Sequence, residues 1–162
     1  MAKAGFWSIG GYAISFRADG NWYADEEVIG NRRIFELFSR HIRSDGQGGW
    51  VVDIGIDRQA VIVEDTALVV VAVEGNPQTG FQVRTNDRVA DRLDCSSLRV
   101  GPNNILYCKV ERGDRGVIEA RFLRPPYYRL VSYMEESAGG TMLRVGGDLY
   151  RLGTANGDAQ MA

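Results

Sequence analysis

Phe16-Arg17-Ala18-Asp19-Gly20-Asn21-Trp22-Tyr23 and Val100-Gly101-Pro102-Asn103-Asn104-Ile105-Leu106-Tyr107 read as one device written twice. In each, an apolar strand end meets a tight turn of small polar residues and leaves it on a strand carrying an aromatic residue. Helical periodicity follows, over residues 32–43 in the first case and 125–136 in the second. Each helix pattern then runs into Gly-Gly (Gly48-Gly49, Gly139-Gly140) and a strand-like stretch, 50–52 and 141–143. The spacing predicts an α+β fold of two tandem lobes, each built as strand, turn, strand, helix, strand, with mostly antiparallel sheets. The lobes are expected at 12–86 and 87–153, with an unstructured tail over 154–162.

The periodicities support this division. Ile34, Leu37, Phe38 and His41 fall at i, i+3, i+4 and i+7, one apolar helix face, and Asn31 stands where an N-cap belongs. Tyr127, Leu130, Val131 and Met134 repeat the spacing, so Met134 takes the place His41 has in the first helix. Pro125-Pro126 suits a first helical turn. Strands are expected at 50–54, 60–63, 67–73 and 81–85, then at 98–100, 105–110, 117–122, 141–145 and 149–152. The run 67–73 has no polar face, which predicts a central strand covered on both sides.

With 162 residues, 44% hydrophobic and 25% charged, the chain has enough apolar material for a core without disulfide or metal staples. Seven apolar residues, 67–73, make the longest unbroken run, far short of the roughly 20 that a membrane span needs. The N-terminus is a poor signal-peptide core, broken early by Ser8 and Gly10-Gly11, which makes a cytoplasmic protein the expectation. Two cysteines, Cys95 and Cys108, fit a reducing compartment; Cys108 alternates with Leu106 and Val110 as a core residue would.

Net charge is −2, so no global field draws the chain to nucleic acid or membrane, and neither is expected as a partner. Its distribution is uneven. Residues 84–129 carry 10 basic against 6 acidic side chains, whereas residues 1–80 carry 7 against 11. Seventeen of the 19 basic residues are Arg, the side chain suited to forked recognition of carboxylate or phosphate. GC-rich coding would give the same bias without any function.

Asp19-Gly20-Asn21-Trp22, Ile34-Phe35-Glu36-Leu37-Phe38, Val61-Ile62-Val63-Glu64-Asp65, Arg84-Thr85-Asn86, and Glu119-Ala120-Arg121-Phe122 leading into Tyr127-Tyr128-Arg129-Leu130 follow one another in an order and spacing that resembles the bacterial family called domain of unknown function 1285. The resemblance spans about residues 12–153. It implies a fold built from repeats of a common α+β motif, no established activity, a suggested role in signal transduction, and no catalytic residue to carry over. The sequence departs from the family pattern at Asp53-Ile54-Gly55-Ile56-Asp57, where Thr-Pro is expected.

No catalytic signature stands out. The single histidine, His41, excludes two-histidine zinc motifs. Gly pairs follow helices rather than precede them, which suits turns and not phosphate cradles. No cofactor or metal is expected. Sequence-adjacent carboxylates such as Glu64-Asp65 point apart and do not make a shared-proton dyad. The leading expectation is a non-catalytic regulatory or binding protein that holds an anionic small molecule or a partner's acidic segment in an inter-lobe cleft lined by Arg84, Asn86, Arg121 and Tyr128. The alternative is a metal-independent enzyme using Glu119 or Asp53 as a buried acid or base. Oligomeric state is not readable from the sequence.

Overall fold

The computed structural model describes residues 11–154 and the backbone of 160–161. The chain divides after Leu68 into two compact units.

The first unit runs β1 (Ile14–Phe16), β2 (Trp22–Ala24), β3 (Glu27–Val28), helix α1 (Arg32–His41), β4 (Ile42–Ser44), β5 (Trp50–Asp53) and β6 (Arg58–Val63). These strands form one sheet in the order β3-β2-β1-β6-β5-β4. All pairings are antiparallel except β1 with β6, which run parallel with Phe16 opposite Val63. Helix α1 starts where the sequence predicts: Asn31 Oδ1 accepts from the backbone N–H groups of Arg33 (3.0 Å) and Ile34 (3.1 Å), which would otherwise lack partners. Its apolar face meets Trp22. The Trp22 ring lies 5.2 Å from Phe38 and 4.8 Å from Phe16, and its indole N–H donates to Ser39 Oγ at 3.0 Å, so the polar tip is satisfied inside the core. The helix ends two residues earlier than its pattern suggests, because Ile42 turns extended and pairs with Val52.

The second unit begins with β7 (Leu68–Asn76), β8 (Gly80–Thr85) and β9 (Ala90–Arg92), followed by a 3-10 turn at Cys95–Ser97, then β10 (Arg99–Val100), β11 (Leu106–Glu111) and β12 (Val117–Phe122). Their order is β10-β11-β12-β7-β8-β9. Strand β7 is central, as its unbroken apolar run predicts, but it is covered on both faces only at its start: Leu68, Val69 and Val70 are fully buried, whereas Val71 is exposed. Helix α2 (Arg124–Val131) and a second sheet, β13 (Met134–Ser137), β14 (Gly140–Val145), β15 (Asp148–Arg151) and β16 (Gln160–Met161), complete the unit.

The architecture is α+β, with a mixed first sheet in which β1 and β6 run parallel. Several expectations change. The division falls after Leu68 rather than at 86/87, because β7 and β8 pair with each other and lie beside β12 rather than β6. The second helix stops at Val131 instead of running to 136: Met134–Ser137 is extended and pairs with Gly140–Val145, so Met134 is a strand residue and not a helix-face counterpart of His41. The strand order shared by the two six-stranded sheets aligns β1–β6 with β7–β12, not the segments around 16–52 and 100–143. Matching hydrogen bonds mark the correspondence, Glu64 N–H to Phe16 O (2.9 Å) and Leu123 N–H to Val70 O (3.0 Å). Within the expected tail, Gln160–Met161 pairs with β15, and 155–159 lie outside the described residues.

Candidate functional site

Backbone chemistry sets up the β7–β8 hairpin. Asn76 Oδ1 accepts from the N–H groups of Gln78 and Thr79, both at 2.9 Å, closing the turn. Gly75 (φ +114°) and Gly80 (φ +91°) are required: a Cβ on Gly75 would collide with the Gly80 carbonyl, and one on Gly80 would meet the Arg92 guanidinium at 2.8 Å. Along β8, Phe81, Val83 and Thr85 point inward while Gln82 and Arg84 point out. Pairing of Gln82 with Arg92 and of Arg84 with Ala90 puts both arginines on that outward face as diagonal neighbours, Cα atoms roughly 7–8 Å apart. Two hollows open there. One, of about 50 Å³, is lined by Ala72, Glu74, Gln82, Val83, Arg84 and Ala90; the other, of about 310 Å³, by Glu74, Gly75, Thr79, Phe81 and Arg92 among others.

The four residues expected to line an anion site are placed unequally. Arg84 is exposed, and among the described residues it makes no hydrogen bond or ion pair. Asn86 is buried, its Oδ1 accepting from Val69 N–H at 2.9 Å, so its amide fixes the end of β8 rather than facing a ligand. Arg121 stands on β12 opposite Tyr107, separated from Arg84 by the whole of β7. Tyr128 lies exposed on α2, its ring 5.3 Å from Tyr127. All four belong to the second unit, so the residues expected to line an inter-lobe cleft come from one unit. Arg92, which the sequence reading did not single out, is the arginine beside Arg84.

The carboxylates offered for catalysis are engaged. Glu119 receives a forked pair of hydrogen bonds from Arg99 (2.7 and 2.8 Å), whose guanidinium also lies 4.0 Å over the Tyr107 ring. Asp53 pairs with Arg58 at 3.6 Å and accepts from Gly55 N–H. Neither is fully buried. His41 Nδ1–H donates to the Leu37 carbonyl at 2.8 Å, one turn back on its own helix. Both thiols are free and buried; burial pushes Cys95 up to about 11 and raises Cys108 further, so neither is a thiolate at neutral pH.

Sheet topology of this kind recurs in solved structures. A DUF1285 family protein from Silicibacter pomeroyi DSS-3 matches with a TM-score of 0.69 at 19% identity, covering 90% of this chain and 81% of its own. A second DUF1285 family protein, from Shewanella baltica OS155, matches with a TM-score of 0.59 at 19% identity, covering 75% of this chain and 92% of its own. The chain has the DUF1285 fold. At this identity the likeness speaks for the fold alone, and it agrees with the resemblance read from the sequence. No protein-family model matches the chain, and no curated protein does.

This example of the DUF1285 fold carries a buried ionic cluster. Asp87, its side chain fully buried in the β8–β9 turn, meets Arg112 Nε at 2.7 Å and Arg115 Nη2 at 3.2 Å, both from the β11–β12 turn. Arg112 also donates to both Asp91 oxygens (3.1 and 2.9 Å), to the Glu111 carbonyl and to Thr85 Oγ1. Burial pushes the Asp87 carboxyl up, but hydrogen bonds from Arg112 and Thr85 and the charges of Arg112 and Arg115 outweigh it and hold it below the usual carboxylate range. Every partner is inside the protein, so the cluster ties two turns together and leaves no open position for a substrate. Its only sequence signal was a pair of ordinary turns, Thr85–Val89 and Arg112–Gly116.

Proposed function

We propose that this protein is a non-catalytic regulatory binding module that takes an anionic group on the outward face of β7–β9, between Arg84 and Arg92. The observation that carries this reading is the exposed Arg84, which among the described residues makes no internal pairing, set diagonally from Arg92, whose side chain lines a 310 Å³ hollow. Two guanidinium forks on one rigid sheet face suit a carboxylate or phosphate, whether on a small molecule or on an acidic segment of a partner protein. Glu74 in the same lining offers an acceptor for a ligand hydroxyl or ammonium.

The test is a titration followed through backbone amide shifts, with inorganic phosphate and a hexaglutamate peptide as probes. Saturable shifts confined to residues 74–92 are expected, weakening with salt and abolished in the Arg84→Gln/Arg92→Gln double variant. A response to phosphate assigns a small anion, and one to the peptide alone assigns a partner segment. Absence of any shift, or undiminished binding by the folded double variant, overturns the reading.

A further inference from the structure

A third hollow has the opposite character. It holds about 230 Å³ and is lined by Val100, Asn104, Leu106, Tyr127, Val131, Met134, Glu136 and Thr141. Five stretches meet around it: the end of β10, the 3-10 turn Pro102–Asn104, the start of β11, helix α2, and the β13–β14 pair. Its walls are aliphatic and thioether groups with one tyrosine, and its polar rim is an amide, a hydroxyl and a carboxylate. Glu136 is the only charged residue in the lining. Its Oε1 accepts from Thr141 Oγ1 at 2.8 Å, which orients the carboxylate and leaves Oε2 as a further acceptor.

Backbone strain holds the opposite rim. Asn103 (φ +61°) and Asn104 (φ +58°) both sit in the left-handed region that non-glycine residues avoid, a conformation that recurs at ligand clamps. Asn104 is thereby exposed at the mouth, and among the described residues its side-chain amide makes no hydrogen bond. Arg124 is stacked 5.2 Å over the Tyr127 ring and is absent from the lining.

We infer that this hollow is a second ligand site, independent of the anion face, and that it takes a small organic ammonium ion with an apolar body. The argument is complementarity of charge and shape. An anion would meet Glu136 with no compensating cation in the lining, whereas an ammonium gains a charge-assisted hydrogen bond to Oε2 and a second acceptor in the Asn104 carbonyl oxygen. The apolar body displaces water from Leu106, Val131 and Met134. Size is bounded by the cavity: at about 30 Å³ for each water-sized group, 230 Å³ admits roughly eight non-hydrogen atoms.

Benzylamine, benzyl alcohol and benzoate are three probes of that size differing chiefly in charge. Benzylamine is expected to shift the amides of Asn104, Tyr127, Met134 and Thr141 in a saturable way, benzyl alcohol to bind about tenfold more weakly, and benzoate not to bind. Glu136→Gln keeps an acceptor for Thr141 and should weaken benzylamine about tenfold while leaving benzyl alcohol unchanged. Val131→Phe fills the hollow and should remove binding of both, with the β-sheet amide spectrum retained as a check on the fold. Benzoate binding as well as benzylamine, no shift with benzylamine, or full affinity in folded Glu136→Gln or Val131→Phe protein would each overturn the assignment. Because the Arg84→Gln/Arg92→Gln variant leaves this site intact, loss of the anion face and loss of the amine site are read separately.

Discussion

The two six-stranded sheets share one strand order, and the segment joining the third strand to the fourth makes the difference between them. In the first unit that segment is α1, ten residues long, and it lays Phe38 against Trp22 and Phe16. In the second it is a 3-10 turn of three residues, Cys95–Ser97, too short to cover a sheet. Later chain does the covering instead: Tyr133 packs 5.3 Å from Phe81, Leu130 and Leu143 are fully buried, and Gly153 exchanges hydrogen bonds with Leu98 and Val100, both at 2.9 Å. A cover made of several pieces leaves seams. The 230 Å³ hollow lies among those pieces, while the first unit concentrates its core on one tryptophan.

Removing that tryptophan is the strongest way to break the comparison. Trp22→Ala is expected to cost about 3–5 kcal/mol, since it deletes two ring contacts and the indole hydrogen bond to Ser39 Oγ. A denaturation series on Trp22→Ala beside Val83→Ala should show the second, smaller deletion costing clearly less.

The next effect belongs to the second unit. Arg112→Met should cost about 3 kcal/mol, because it removes the main charged partner of Asp87 in the interior and leaves it Thr85, the Val89 N–H and Arg115. The cluster also predicts a pH dependence. Asp87's folded value lies below its ordinary one, so its contribution is fully present above about pH 4 and is lost as pH falls through the folded value. Denaturant midpoints measured from neutral pH down to about pH 2 should fall more steeply for wild type than for Asp87→Asn. Equal slopes would mean the cluster contributes nothing through ionisation.

Smallest are the caps of the two joining segments. Asn31 Oδ1 serves two backbone N–H groups and Asp94 Oδ1 serves one, that of Ser96 at 3.1 Å. Asn31→Ala should cost about 1 kcal/mol and Asp94→Ala less, measured by chemical denaturation.

Much of this architecture was legible in local patterns. The cap at Asn31, the apolar face of α1, the Asn76–Gly80 turn, the centrality of β7 and the burial of Cys108 each follow from residue type and spacing over a few positions. The second helix was overread because Met134 sits at a helical i+7 position that is equally a β-strand start; pairing with Leu143, nine residues on, decided it. Arg92 was passed over for the same reason in reverse: its place beside Arg84 exists only through the β8–β9 register.

By itself, then, the sequence determined most of the elements, their class and the uneven charge, all of which depend on contacts within a turn or two. Three things were decided only by tertiary structure: that β1 lies beside β6, that the chain divides after Leu68, and that Asp87 meets Arg112, 25 residues away. Each is a choice among partners of nearly equal local merit. Such choices are settled by which arrangement buries every apolar face and pairs every buried charge at once, a condition on the whole unit that no short window of residues contains.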